Sequence, residues 1–316
     1  MRFLLVLLTL FGIGCSTSTA EASSVIERVK ARHLVRCGSV ERPGLATETQ
    51  PGVWSGLNVD VCRAIAAAVL GSPDRIEYHK YETDKDFDAV RNQEDDVYFL
   101  TRSEINTQKL TNKLVLGPTV FLESDTVMVA STSAVHHLTD LADDSICFMI
   151  GSSVEQSLNA YFGKLHKNWF RRAFSEDGEM IDTYNVQNCH AIAGEITTLA
   201  NIRLDPGVNR LSSRILPESV NIFAVIAATK TDDTQWSAIV AWIVHTLINL
   251  EIPKTQSNAE STGKMPVSLS ELFIDKEWQR HVLTSVGSYS DIFNRNLGKG
   301  SPLRLDRGLN TNHSGT

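Results

Sequence analysis

Three groups of residues in this 316-residue chain have types and spacings that suggest chemistry. His136-His137 and Cys189-His190 each place potential metal ligands side by side. Adjacent histidines on a helix turn their rings apart, and no Cys or Asp at ligand spacing joins the first pair, so a solvated helix start accounts for it. Gly298-Lys299-Gly300-Ser301 has the letters of a phosphate loop but reads as a turn in the tail; no G-x-G-x-x-G, Walker or H-E-x-x-H pattern is present. Acid–base catalysis needs an acid and a base facing the substrate, and no pattern here supplies that pair. The chain does not read as an enzyme, and no metal or cofactor is expected.

The formal net charge of −7 argues against nucleic acid and anionic membrane surfaces as partners. The chain opens "MRFLLVLLTLFGIGCSTSTAEASS", one Arg before an apolar run and then small residues. That is a secretory signal peptide over residues 1–22, too short in its apolar part to span a bilayer, and it implies a periplasmic product. Ala20-Glu21-Ala22 offers a cleavage site that releases a soluble chain. A lipoprotein junction at Gly14-Cys15, with Cys15 acylated, competes; Gly12 stands where such junctions usually carry Leu, which favours free secretion. Without Cys15, four cysteines remain, and an even number in an exported chain implies disulfides. Of the three possible pairings, Cys37–Cys62 and Cys147–Cys189 keep each bridge local. Each is then worth about 3–4 kcal/mol on the chain-entropy model.

The elements that must position these groups alternate. "SVIERVKAR" reads as a short helix, "HLVRCGSV" (33–40) as a strand, and "GLNVDVCRAIAAAVLG" (56–71) as a helix stopped by Gly71. "DRIEYHKY", "DKDFDAVRNQ" and "DDVYFLTR" continue as strand, helix, strand. The rhythm restarts near residue 125 with "DTVMVA", "HHLTDLAD", "SICFMIG" and "SSVEQSLNAYFGKL". "EMIDTYNV" and "RILPE" read as short strands, "NIFAVIAAT" as a return strand, and "DDTQWSAIVAWIVHTLINLE" as a long helix with Trp236 and Trp242 in the core. Alternating strands and helices predict an α/β fold with covered parallel sheets, in two lobes with a cleft between them.

At "GVWSGLNVDVCRAIAAAVLG", "TDDTQWSAIVAWIVHTLINLE" and "VGSYSDIFNRNLGKGSPLRLDRGLN" the chain resembles the periplasmic solute-binding proteins of polar amino-acid ABC importers, and in particular the branch that binds a broad range of L-amino acids. The likeness covers roughly residues 25–310. It implies the type II periplasmic binding protein fold, two Rossmann-like lobes joined by hinge strands near 126–131 and 221–227. Lobe 1 then comprises residues 23–125 and 225–316, and lobe 2 residues 126–224, with each proposed disulfide inside one lobe. It also implies an inner-membrane ABC permease as partner and a monomeric chain.

The family's ligand chemistry is a zwitterion clamp: an Arg fork on the ligand carboxylate, backbone N–H groups at a helix start, and a carboxylate on the ammonium. Carried over by residue, the clamp arginine's position holds Gln108, with Ser103 and Arg102 upstream. The helix start falls on Ser152 and Ser153, the ammonium-binding carboxylate on Glu195, and the aromatic lid of the Pro-Gly turn on Leu45. Trp54 either lines the cleft mouth or fills the lobe 1 core. Near the second hinge the family's Lys-Glu-Pro reads Ile222-Phe223-Ala224. Neutral Gln108 in place of an Arg fork weakens the carboxylate grip by about 1.5–3 kcal/mol. The expected function is delivery of a small polar or zwitterionic solute to an importer. A diverged binding or sensing protein of the same fold, no longer serving amino-acid import, is the alternative.

Overall fold

The computed structural model describes residues 24–82, 88–101, 114–210, 212–249, 251 and 277–311. The signal-peptide and Cys15 expectations lie outside them, as do Arg102, Ser103 and Gln108. The first part of the chain forms α1 (Val25–Arg32), β1 (Val35–Val40), the hairpin β2 (Thr47–Gln50) and β3 (Val53–Ser55), α2 (Leu57–Leu70), β4 (Ile76–Tyr81), α3 (Asp88–Arg91) and β5 (Val97–Thr101). The long β6 (Leu114–Ala130) leads into β7 (Ser145–Met149), α4 (Val154–Lys164), β8 (Phe170–Phe174), α5 (Asp177–Asn185), β9 (Ala191–Glu195), α6 (Ile196–Ile202), α7 (Pro206–Arg210) and β10 (Ser213–Ile215). The chain returns through β11 (Asn221–Lys230), α8 (Thr234–Asn249), α9 (Trp278–Ser285) and α10 (Tyr289–Asn296).

The strands run in the order β4-β1-β5-β11-β6-β9-β7-β8, with β10 added against β6. β1 is parallel to β4 and β5, and β7 is parallel to β8 and β9. β6 and β11 join these two groups. β6 is antiparallel to β11 from Leu114 to Asp125, then antiparallel to β9 from Asp125 to Val129. One strand thus begins in one lobe and ends in the other, exchanging partners at Asp125.

Lobe 1 is built around α2, buried at every residue except Arg63 and Leu70. A helix apolar on all sides needs cover on all sides, and β1, α8, α9 and α10 supply it. Its one buried acid, Asp60, accepts from Arg63 (2.9 Å), Arg295 (2.7 Å) and Asn296 (2.6 Å), so "NRN" of the tail is held by the first helix of the core. Further along, the Arg307 guanidinium lies over the Tyr289 and Phe293 rings and pairs with Glu251 at 3.0 Å. The Asn310 amide then brackets the backbone of Leu122 on β6, accepting from its N–H (2.7 Å) and donating to its carbonyl (3.0 Å). The tail therefore straps lobe 1 and the crossing strand together. Trp236 is fully buried and donates Nε1–H to the Asp96 carbonyl; Trp242 packs at the edge of the same core.

Three segments depart from the sequence expectation. "EMIDTYNV" is helical, within α5, because Met180 and Tyr184 are four residues apart and both buried; the Tyr184 hydroxyl bonds Ser213 at 2.9 Å. The strands β8 and β9 replace it in the sheet. β6 begins eleven residues before "DTVMVA", in a stretch whose Gly117-Pro118 discourages a strand assignment. Its register against β11 shifts between Ile226 and Ala228, where Pro118 falls. A Cβ on Gly117 would stand 2.0 Å from the Ala227 carbonyl oxygen, so only glycine lets the strands close here. The expected helix "HHLTDLAD" shortens to a 3₁₀ turn at Leu138–Leu141.

Disulfides join Cys37 on β1 to Cys62 on α2, and Cys147 on β7 to Cys189 just before β9. Replacing Cys37 and Cys62 together by Ala should lower unfolding free energy by about 3 kcal/mol, read from urea denaturation. A loss under about 1 kcal/mol would show that this bridge constrains the unfolded chain far less than its loop length implies.

Candidate interlobe binding site

In sheets of this kind, ligands lie beyond the carboxyl ends of parallel strands, where the strand order reverses. Here those ends are Val40 on β1 and Thr101 on β5 in one lobe, and Met149 on β7 and Glu195 on β9 in the other.

Where β6 changes partners, four consecutive residues are polar and buried: Glu123, Ser124, Asp125 and Thr126. Glu123 accepts from the Thr197 hydroxyl (2.6 Å) on α6 and from the Ser124 N–H (3.0 Å). Asp125 accepts from the hydroxyls of Ser153 (3.1 Å) and Ser157 (3.0 Å) at the start of α4, and from Asn221 (3.4 Å) on β11. Thr126 donates to the carbonyls of Leu216 and Glu218. Glu195 lies opposite Asp125 in the β6–β9 ladder and begins α6. From the other lobe, Arg42 Nε reaches Glu195 Oε2 at 3.5 Å, an ion pair across the gap.

The predicted residues fall into three groups. Glu195 sits at the junction, a quarter exposed and facing lobe 1. Ser153 is also there, but its hydroxyl is committed to Asp125. Ser152 is exposed, and its hydroxyl donates to the Met149 carbonyl at 2.6 Å. Leu45 is fully buried, so no part of its side chain lies open to the gap. The reason is the cap of α2. The carbonyls of Gly44 and Leu45 accept from the N–H groups of Leu57 and Asn58, both at 2.9 Å, which draws the Pro-Gly turn onto the core. Gly56 permits this approach: its φ is +134°, and a Cβ there would meet the Leu45 carbonyl oxygen at 2.2 Å. Trp54 takes the core alternative, buried with its ring 5.2 Å from Tyr78.

Sequence reasoning passed over Glu123, Asp125 and Arg42. The first two carried a signal, since "ESD" interrupts an apolar strand and demands buried partners. Away from the junction, Asp140 accepts from the backbone N–H groups of both His136 and His137, and His137 pairs with Glu218 at 2.8 Å. His190 contacts Ser145 and Asp144. Among the described residues no group of three or more His, Cys, Asp and Glu could hold a metal ion, and no helix is long and apolar enough to cross a membrane.

No protein-family model matches the chain. It is 29% identical over 313 residues to the general L-amino acid-binding periplasmic protein AapJ of Rhizobium johnstonii, covering 93% of this chain and 90% of that one. It is 26% identical over 310 residues to the glutamate/glutamine/aspartate/asparagine-binding protein BztA of Rhodobacter capsulatus, covering 92% and 90%. A periplasmic binding protein from Brucella ovis, solved with glutathione bound, superposes with a TM-score of 0.73 at 25% identity, covering 92% of this chain and 96% of that one. The chain is thus similar along nearly its whole length to periplasmic solute-binding proteins of amino-acid ABC importers. The buried acids of β6 lie where its two lobes join.

Burial, reinforced by the neighbouring Glu195 carboxylate, pushes Glu123 from 4.5 up to about 8, against the opposing hydrogen bonds of Thr197 and Ser124. The folded protein thus holds Glu123 as the acid while the unfolded chain ionises near 4.5. In that window the native state binds more protons, so the Glu123 contribution to stability is greatest below 4.5 and declines as pH rises towards 8. Glu123→Gln should flatten this decline, seen as a smaller loss of urea midpoint between pH 5 and pH 8, by at most about 1.4 kcal/mol per pH unit. Parallel pH profiles for variant and wild type would refute the buried-acid account.

Proposed function

We propose that this protein captures, in the periplasm, a solute presenting a free α-amino-acid end group and delivers it to an inner-membrane ABC permease. The observation that carries the reading is the Arg42–Glu195 pair, opposite charges offered by the two lobes across one gap. A small zwitterion complements such a gap because it brings one partner for each charge. Residues 1–22 act as the export signal, residues 23–125 and 225–316 make up lobe 1, and residues 126–224 lobe 2. Solute meets lobe 1 first, near Ser103, Gln108 and Arg102. Closure about β6 and β11 then brings the Ser152-Ser153 backbone and Glu195 onto it, favoured because the ligand binds the closed form more tightly. Leu45 and Trp54 support lobe 1 from its core.

The relatives bracket the ligand class. AapJ and BztA are named for binding amino acids, and the Brucella ovis protein holds glutathione. Glutathione begins with a γ-linked glutamate, so it too presents an α-ammonium and an α-carboxylate on one carbon. A thermal-shift screen of the mature protein against L-amino acids, the corresponding amines, dipeptides and glutathione tests the reading. A ligand at a hundred times its Kd should add about 2.7 kcal/mol to unfolding free energy. Zwitterions with a free α-amino-acid end should raise the melting temperature. No shift with any of them, alongside a clear shift with another class, would overturn it.

A further inference from the structure

Arg42 has no place in the binding scheme that the family resemblance implies, yet it is the lobe 1 cation that meets Glu195. We propose that Arg42 takes the ligand's carboxylate while Glu195 takes its ammonium, so that Arg42 supplies from the Pro-Gly turn the guanidinium that position 108 lacks. This rests on the solute-binding reading and deepens it.

Three observations carry the assignment. The first is the platform. Arg42 N–H donates to the Ala46 carbonyl (2.9 Å), and the Arg42 carbonyl accepts from the N–H groups of Leu45 (3.1 Å) and Ala46 (3.0 Å). The same turn caps α2 through Gly44 and Leu45. The guanidinium therefore extends from a rigid base, which reduces the entropy lost when it grips a ligand.

The second is the looseness of the pair. The Nε–Oε2 separation of 3.5 Å is longer than the 2.7–2.9 Å typical of a charge-assisted hydrogen bond. A contact this long can be exchanged for a shorter one with a ligand. Arg42 and Glu195 are 13% and 25% exposed, so both are substantially withdrawn from water, and separating them without replacement partners is costly.

The third is charge matching. Glu123, fully buried beside Glu195, is held as the neutral acid, so Glu195 is the charged carboxylate on the lobe 2 side of the gap. A simple anion entering here would satisfy Arg42 but leave Glu195 beside an added negative charge. A simple cation would satisfy Glu195 at the expense of Arg42. A compound with both charges on groups attached to one carbon gives each side chain a new partner and leaves the net charge unchanged.

The test uses calorimetric titration of the mature protein with the amino acid giving the largest thermal shift, and with the amine that lacks only its carboxylate. Arg42→Gln should weaken the amino acid by about tenfold to a hundredfold while the amine binds as tightly as before or more tightly. Arg42→Lys, which keeps the charge without the fork, should recover part of the loss. The turn closes through main-chain bonds, so both variants should fold, as an unchanged circular dichroism spectrum would show. Equal losses for amino acid and amine would make Arg42 a latch between lobes and overturn the assignment. Unchanged amino-acid affinity in Arg42→Gln would also overturn it, leaving the solute-binding reading intact. Failure of the wild type to bind any zwitterion would remove both.

Discussion

Burying a polar side chain is costly unless every hydrogen-bonding atom finds a partner, and β6 buries four in succession. Glu123, Asp125 and Thr126 draw on α4, α6, β11 and the segment before β11 for partners, and the Ser124 N–H donates to Glu123. The strand that links the lobes is consequently tied to the elements that face the gap. Ser153, whose hydroxyl would otherwise cap α4, gives it to Asp125, and α6 begins with Glu195 directly opposite. The polar run fixes where lobe 2 presents its helix starts and its carboxylate.

Lobe 1 answers with rigidity of a different kind. α2 is enclosed by the sheet, by three later helices and by a disulfide, and its cap pulls the Pro-Gly turn inward. The turn buries Leu45 and carries Arg42, whose guanidinium reaches Glu195. The tail takes part as well, since Arg295 and Asn296 hold Asp60 and Asn310 brackets Leu122. Residues separated by more than two hundred positions thereby share one core. The motif "RLDRGLN" acts structurally, as a strap over the crossing strand.

The electrostatics of the junction follow from these placements. A carboxyl group buried next to another carboxylate is held as the acid, and Glu123 occupies the crossover in that neutral form. Glu195, nearer the gap, has the guanidinium of Arg42 across from it. The two acids differ in role because they differ in depth.

Much was legible in the sequence. The hydrophobic periodicity of α2 and α8, the stop at Gly71 and the alternating elements report local constraints, and they led to a two-lobed α/β fold. Even cysteine number and loop length pointed to the bridges that formed, because proximity in the chain favours proximity in space. The resemblance singled out Glu195 as a ligand-holding carboxylate; its place at the end of β9, opposite Asp125, came from the fold. Other features depend on contacts between distant segments, which no local pattern records. α5 looked like a strand because two apolar neighbours, Met180 and Ile181, masked the four-residue spacing of Met180 and Tyr184. The first half of β6 was hidden by Gly117 and Pro118, residues that a strand excludes until a facing carbonyl requires them. Leu45 looked outward until the cap of α2 turned it in. The pairing of Arg42 with Glu195 joins positions 153 residues apart in the chain, and only the folding of two groups of strands about a shared strand brings those charges together.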